Sequence, residues 1–204
     1  MGVDDTKTGT EKWILASHNE GKIKELRDVL SRFDVHLEGA ADISLDEPEE
    51  TEKTYTGNAI LKARAACEAT DCVSLGDDSG LSVDALGGDP GVLSARWAGE
   101  PRDFDLAMRR VHEALIKSGS DDRTARFVCV LALVCPDGRV ETYEGQIVGQ
   151  IVWPPQGEGG FGYDAIFQPE GESRTFAQMS REEKRALSHR GRAMARLIEA
   201  EFSA

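Results

Sequence analysis

Several short segments of this 204-residue chain combine the residue types that metal and phosphate chemistry need. Asp77-Asp78-Ser79-Gly80 places two carboxylates beside a hydroxyl. Hard oxygen ligands of this kind suit Mg2+, which takes one or two carboxylates and completes its shell with water and substrate phosphates. One carboxylate of the pair could also deprotonate a water. The same tetrapeptide reads equally as an acidic turn, because Asp, Ser and Gly are common turn residues. It becomes a site only if partners converge on it.

Glu47, Glu49 and Glu50 precede a helical segment, where negative charge is favoured by the helix dipole whether or not it holds a metal. Ser17-His18-Asn19-Glu20-Gly21-Lys22 offers hydroxyl, amide, glycine and ammonium, the groups that hold phosphate oxygens at a helix start. It lacks the GxxxxGK[ST] pattern, so a P-loop is not supported. Gly159-Gly160-Phe161-Gly162-Tyr163-Asp164 could bring backbone and an aromatic face against a base, or be a buried aromatic turn. Ser188-His189-Arg190 supplies donors for a purine 6-oxo group or a phosphate, with Lys184 one helical turn earlier; the donor inventory alone also allows a surface helix junction.

The elements that must position these groups follow from periodicity. Trp13 to Ser17 reads as a strand, and Ile23, Leu26, Val29 and Leu30 recur at helical spacing, giving strand, loop, helix. Asp42 to Glu52 suits a loop, and Tyr55 to Ala69 a helix. Val73 to Leu75 predicts a short strand with the acidic pair where it ends. Leu106 to Ile116 is helical. Thr124 to Cys135 and Val140 to Ile151, separated by Pro136-Asp137-Gly138, predict a long hairpin that contributes to a second lobe. Ser180 and Glu183 have capping-box spacing, and helical periodicity then runs through Leu187, Met194, Leu197 and Ile198.

Composition narrows the classes. Twenty-four basic against 37 acidic residues leave a net charge of −13, a field that repels a polyanionic backbone, so general nucleic-acid binding is disfavoured. Cys67, Cys72, Cys129 and Cys135 lack CxxC spacing, and the four histidines form no HxxxH or HExxH set, so no structural zinc site is expected and the thiols read as free and cytosolic. Met1 to Glu11 reads as a flexible polar leader without the order of a secretory signal, and no apolar run reaches the length of a membrane span. Residues 12–204 then form one domain, placed in the cytoplasm.

In their order along the chain, Ser17-His-Asn-Glu-Gly-Lys22, Glu49-Glu-Thr51, Asn58-Ala59, Asp77-Asp-Ser-Gly-Leu81, Pro90-Gly91 with Ser94-Ala-Arg-Trp97, Gly160-Phe-Gly-Tyr-Asp164 and Ser188-His-Arg190 closely resemble the inosine/xanthosine triphosphate pyrophosphatase, or HAM1-like, family. The likeness spans Trp13 to Phe202. It implies an elongated α/β fold with a central mixed sheet, flanking helices, two lobes with a nucleotide cleft between them, and a homodimer. It also implies Mg2+-dependent attack of water between the α and β phosphates of ITP, dITP or XTP, with Mn2+ as a substitute.

Carried over position by position, the resemblance makes Asp78 the general base and a metal ligand, Glu50 the second metal ligand and Ser79 a substrate contact. Ser17, His18, Asn19, Glu20, Gly21 and Lys22, with Lys184, would hold the triphosphate. Phe161, Gly162, Tyr163 and Asp164, with His189 and Arg190, would enclose and read the base. Asp77 stays ambiguous between ligand and orienter. The chain departs from the pattern at Gly57, where many members have an acidic residue, and in Glu144 to Gly149, which lacks an aromatic found in some. The rival expectations are a pyrophosphatase for another modified or pyrimidine triphosphate, and a nucleotide-binding module without hydrolysis.

Overall fold

The structure, a computed structural model, describes residues 10–203. The expected leader therefore lies largely outside the described residues, and its last residue, Glu11, opens the first strand. The elements run β1 (Glu11–Leu15), α1 (Glu20–Leu30), β2 (Val35–Gly39), α2 (Tyr55–Thr70), β3 (Val73–Val83), α3 (Phe104–Ser118), β4 (Thr124–Val134), β5 (Val140–Ile151), β6 (Phe167–Pro169), α4 (Arg181–Leu187) and α5 (His189–Phe202). The six strands form one sheet in the order β2-β1-β3-β4-β5-β6. β1 pairs parallel with β2 and β3, whereas β5 pairs antiparallel with β6. The fold is thus the expected α/β class around a mixed sheet with helices.

The chain divides into two compact units. The first holds residues 10–51, Asn58–Asp77 and Ala132–Glu141. β1, α1 and β2 make a βα unit there, as the periodicity predicts. Ile23, Leu26 and Leu30 bury one stripe of α1, each side chain worth about 1.5–3 kcal/mol on removal from water. Ile14, Ala16 and Ala66 form a core cluster packed by Ile43, Leu45 and Cys72. At Gly76 the α2 backbone comes so close that a Cβ would lie 2.0 Å from Ala59 O.

The second unit holds Glu52–Gly57, Asp78–Leu131 and residues 142–203. Its core joins Leu81 and Val83 of β3 to Val111 and Leu115 of α3 and to Phe127, Phe167 and Phe176. Phe127 and Phe167 lie 4.6 Å apart between centroids, and Phe167 and Phe176 5.3 Å. The tip of the β4–β5 hairpin, Ala132–Glu141, belongs to the first unit, and the rest of both strands to the second.

Two expectations need correction. The acidic pair does not end a short strand: β3 continues without interruption from Val73 to Val83, with Asp77 and Asp78 in its middle. The flanking glycines answer to close packing rather than to a turn, since at Gly80 a Cβ would lie 2.4 Å from Gly91 O and 2.6 Å from Ser94 Oγ. The C-terminal helical pattern is also two helices, because Ser188 is extended (φ −68°, ψ 159°) and caps α5 by accepting from Gly191 N. Periodicity did not reveal the break because the residues on both sides favour helix. The expected Ser180–Glu183 capping box is present and starts α4.

Candidate active site

In the first unit, the turn between β1 and α1 is built by its own polar side chains. Ser17 Oγ accepts from Asn19 N at 3.2 Å, and Asn19 Oδ1 accepts from Lys22 N at 3.1 Å, the N-cap bond that starts α1. Glu20 and Gly21 are exposed on the first turn, and His18 Nδ1 lies 3.6 Å from Glu47 Oε2. Lys22 is directed onto Asp77, with Nζ 2.5 Å from Oδ1 and 3.5 Å from the Asp77 carbonyl. The Asp77 side chain is fully buried and that of Lys22 is 16% exposed. Asp77 is therefore the anchor of the lysine. An ammonium has three donors, so Lys22 remains able to bond a phosphate oxygen while held this way.

Glu50 has a buried cation of its own. Lys62 Nζ donates to Glu50 Oε1 at 2.5 Å, with the Lys62 side chain 3% exposed. Lys62 went unnoticed in the sequence. The signal was a lysine on the buried face of α2, among Asn58, Ala59, Ala63, Ala66 and Cys67, a position where an ammonium must find a carboxylate.

In the second unit, Asp78 is 5% exposed. Adjacent strand positions present their side chains in opposite directions, and Asp78 lies near Tyr55. Burial, and to a smaller extent the Asp78 charge, push the Tyr55 phenol up to about 12, opposed by its bond with Ser82 Oγ. Ser79 Oγ accepts from Arg190 Nη2 at 3.3 Å.

The loop after β5 turns its groups in different directions. Phe161 is 40% exposed, Tyr163 and Asp164 are buried, and Gly162 takes a left-handed φ of 69°. Asp164 Oδ2 accepts from Phe161 N at 2.7 Å and from Lys184 Nζ at 2.5 Å. Burial pushes the Asp164 carboxyl above its usual range, with the Lys184 ammonium, the Phe161 N–H and Arg190 opposing. Lys184 Nζ also sits 4.3 Å from the Phe161 ring centroid, and the Arg190 guanidinium 5.9 Å. His189 stacks on Phe127 at 4.8 Å and 12°. Its helix can approach so closely because Gly145 of β5 has no Cβ; one there would lie 2.0 Å from His189 O. Ser188, His189 and Arg190 are all buried, so they are not the surface junction their composition also allowed.

The first unit thus holds the Lys22–Asp77 and Lys62–Glu50 pairs and the exposed first turn of α1, and the second holds the buried Lys184–Asp164 pair beside the exposed Phe161 ring, groups of the kinds that orient a polyanion and an aromatic base. Among the described residues no group of three or more His, Cys, Asp or Glu is gathered to hold a metal by itself. Mg2+ does not require one: one or two carboxylates, water and substrate phosphates suffice, and Asp78 and Glu50, each within its own unit, offer carboxylate oxygens of that kind. Cys67, Cys129 and Cys135 are buried and Cys72 is half-buried.

Such a donor set on a mixed α/β sheet suits a nucleotide ligand, and comparison with known proteins says to which family the chain belongs. The sequence profile of the Ham1 family matches residues 13–200, and the chain belongs to that family. A dITP/XTP pyrophosphatase of Zymomonas mobilis is 48% identical over 188 residues, covering 92% of this chain and 90% of the relative. One from Ruegeria pomeroyi is 50% identical over 192 residues, covering 93% and 94%. Among solved structures, a HAM1 protein from Coxiella burnetii superimposes with a TM-score of 0.89 at 37% identity, covering 95% of this chain and all of that one. The Ham1 protein of Staphylococcus aureus gives 0.83 at 38%, covering 92% and 96%. No helix among the described residues is long and apolar enough to cross a membrane.

Proposed function

We propose that this chain hydrolyses deaminated purine nucleoside triphosphates, ITP, dITP and XTP, to the monophosphate and pyrophosphate, clearing them from the cytoplasmic nucleotide pool. One observation carries the reading: along β3 a buried carboxylate, Asp78, stands between Asp77, which anchors Lys22, and Ser79, which is contacted by Arg190. The dITP/XTP pyrophosphatase activity in the names of the relatives supports it.

In this reading Asp78 takes a proton from the attacking water. The water oxygen bonds to the α-phosphorus, the bond from that phosphorus to the bridging oxygen breaks in line, and pyrophosphate leaves. Asp78 and Glu50 would hold Mg2+, or Mn2+ in its place, and the ion would offset phosphate charge and polarise the phosphorus. Lys62 keeps Glu50 oriented. Lys22, Ser17, His18, Asn19 and the first-turn N–H groups of Glu20 and Gly21 receive the phosphates, with Lys184 and Ser79 as further contacts. Phe161 stacks the base beside Gly162, and His189 and Arg190 donate to its 6-oxo group. Adenine presents an amino donor at that position and would leave those donors unpaired, which disfavours it.

The test is product analysis. Purified protein with Mg2+ and a panel of triphosphates at equal concentration should release pyrophosphate fastest from ITP, dITP and XTP. Orthophosphate as the product would overturn the reading, and preference for a pyrimidine or another modified triphosphate would move it to that substrate. Tight ITP binding without turnover in Mg2+ or Mn2+ would make the chain a sensor. The active form is proposed to be a homodimer, to be checked by light scattering against the 22.2 kDa chain mass.

A further inference from the structure

The base loop of the second unit is tied to β3 through Ser94, a residue of the Ser94–Trp97 segment to which the resemblance assigned no role. Ser94 is 5% exposed and follows the Gly91–Leu93 turn. Its hydroxyl donates to Gly91 O at 2.6 Å and accepts from Leu81 N at 2.9 Å. Its carbonyl accepts the Tyr163 hydroxyl at 2.8 Å. Tyr163 is 3% exposed, and its ring meets Phe104 edge-on at 5.7 Å.

Both ends of this strut reach functional groups in one step. Leu81 lies two residues beyond Ser79, the acceptor of Arg190. Tyr163 precedes Asp164, whose carboxylate holds both the Phe161 backbone and Lys184. Buried as they are, the Ser94 and Tyr163 side chains act through other residues. The strand side of the joint has no slack either, because a Cβ on Gly80 would meet both Gly91 O and Ser94 Oγ.

We propose that Ser94, with Tyr163 as its arm, is a positioning residue for base selection: it sets the register between the Ser79 segment of β3 and the ring of Phe161. The inference rests on the nucleotide reading above. Discrimination by hydrogen bonds needs donors placed to a fraction of an ångström, and a misplacement of about 1 Å costs about a hundredfold in reacting systems. Loosening the strut should therefore lower selectivity more than it lowers hydrolysis itself.

Tyr163→Phe keeps the ring and removes one buried hydrogen bond, and Ser94→Ala removes the hydroxyl that ties the turn to Leu81. For each variant, kcat and KM are measured for ITP and ATP with Mg2+, alongside thermal unfolding. The expected result is a fall of about five- to tenfold, the worth of one such bond, in the ITP-to-ATP ratio of kcat/KM, carried mainly by KM for ITP. The double variant should lose less than the product of the two single losses, because the groups share one strut. Should Ser94→Ala not fold, Tyr163→Phe alone decides. A lowered melting temperature with ratio and KM unchanged would make the strut merely structural and overturn the inference alone. Absence of pyrophosphate release by the unmodified protein would overturn the nucleotide reading and this inference with it.

Discussion

Asp77 and Asp78 are neighbours of the same type with different work. Asp77 is committed to Lys22 by a 2.5 Å contact in a fully buried setting, whereas Asp78 lies near Tyr55 and carries the proposed base. Asp78→Asn keeps shape and loses basicity, so kcat for ITP should fall about 10²- to 10⁴-fold, the usual worth of a general base, with the melting temperature little changed. Turnover of Asp78→Asn within tenfold of the unmodified protein would place the base elsewhere. The letters Asp-Asp-Ser-Gly carry no sign of this division. It comes from strand alternation and from a lysine 55 positions away in sequence.

Elements hold these side chains through close approaches that glycine permits. At Gly76 an added Cβ would lie 2.0 Å from Ala59 O and 2.9 Å from Ala63 N, both backbone atoms that cannot swing aside. Gly76→Ala should lower unfolding free energy by about 1–3 kcal/mol, the usual cost of overpacking, read from the urea midpoint; an unchanged midpoint would mean that α2 is free to shift. A second device is the capping box of α4, the helix that carries Lys184. Bonds from Arg174 and from Ser180 N hold the Glu183 carboxyl down at about 2, against an ordinary value of 4.5. A carboxylate with a depressed folded value adds stability above its unfolded value and loses it as the pH falls through the folded one. The contribution of Glu183 is therefore present above about pH 4.5 and fades toward pH 2. Glu183→Gln should flatten the acid limb of stability against pH in that window and leave the slope between pH 6 and 8 alone.

For the molecule as a whole, a net charge of −13 adds self-repulsion to the folded state. Raising NaCl from a few millimolar to about 0.15 M shortens the screening length to about 8 Å, so the melting temperature should rise with salt in a differential scanning experiment. A flat or falling curve would show that local pairs such as Lys22–Asp77 outweigh the global repulsion. Within that acidic field the cations Lys22, Lys62 and Lys184 each sit on a partner carboxylate at 2.5 Å. The acidic balance therefore coexists with ammonium groups held in place by those carboxylates where phosphates are proposed to bind.

What the amino-acid order determined by itself was local. The spacing of Ile23, Leu26 and Leu30, the Asn19 cap, the Ser180–Glu183 box and the β4–β5 hairpin are all set by neighbours within a few residues, and all appear in the structure. The family likeness was legible too, because seven short segments keep their order. Partner choice was not. That Lys22 meets Asp77, Lys62 meets Glu50, Lys184 meets Asp164 and Ser94 meets Tyr163 depends on strands and helices brought together from distant parts of the chain. Tertiary packing also decided that Gly76 to Gly80 lies inside a strand, because its glycines admit the α2 backbone and the Gly91–Ser94 turn. Helical propensity could not show the break at Ser188, where a single extended residue separates the helices and α5 begins with His189 and Arg190 buried.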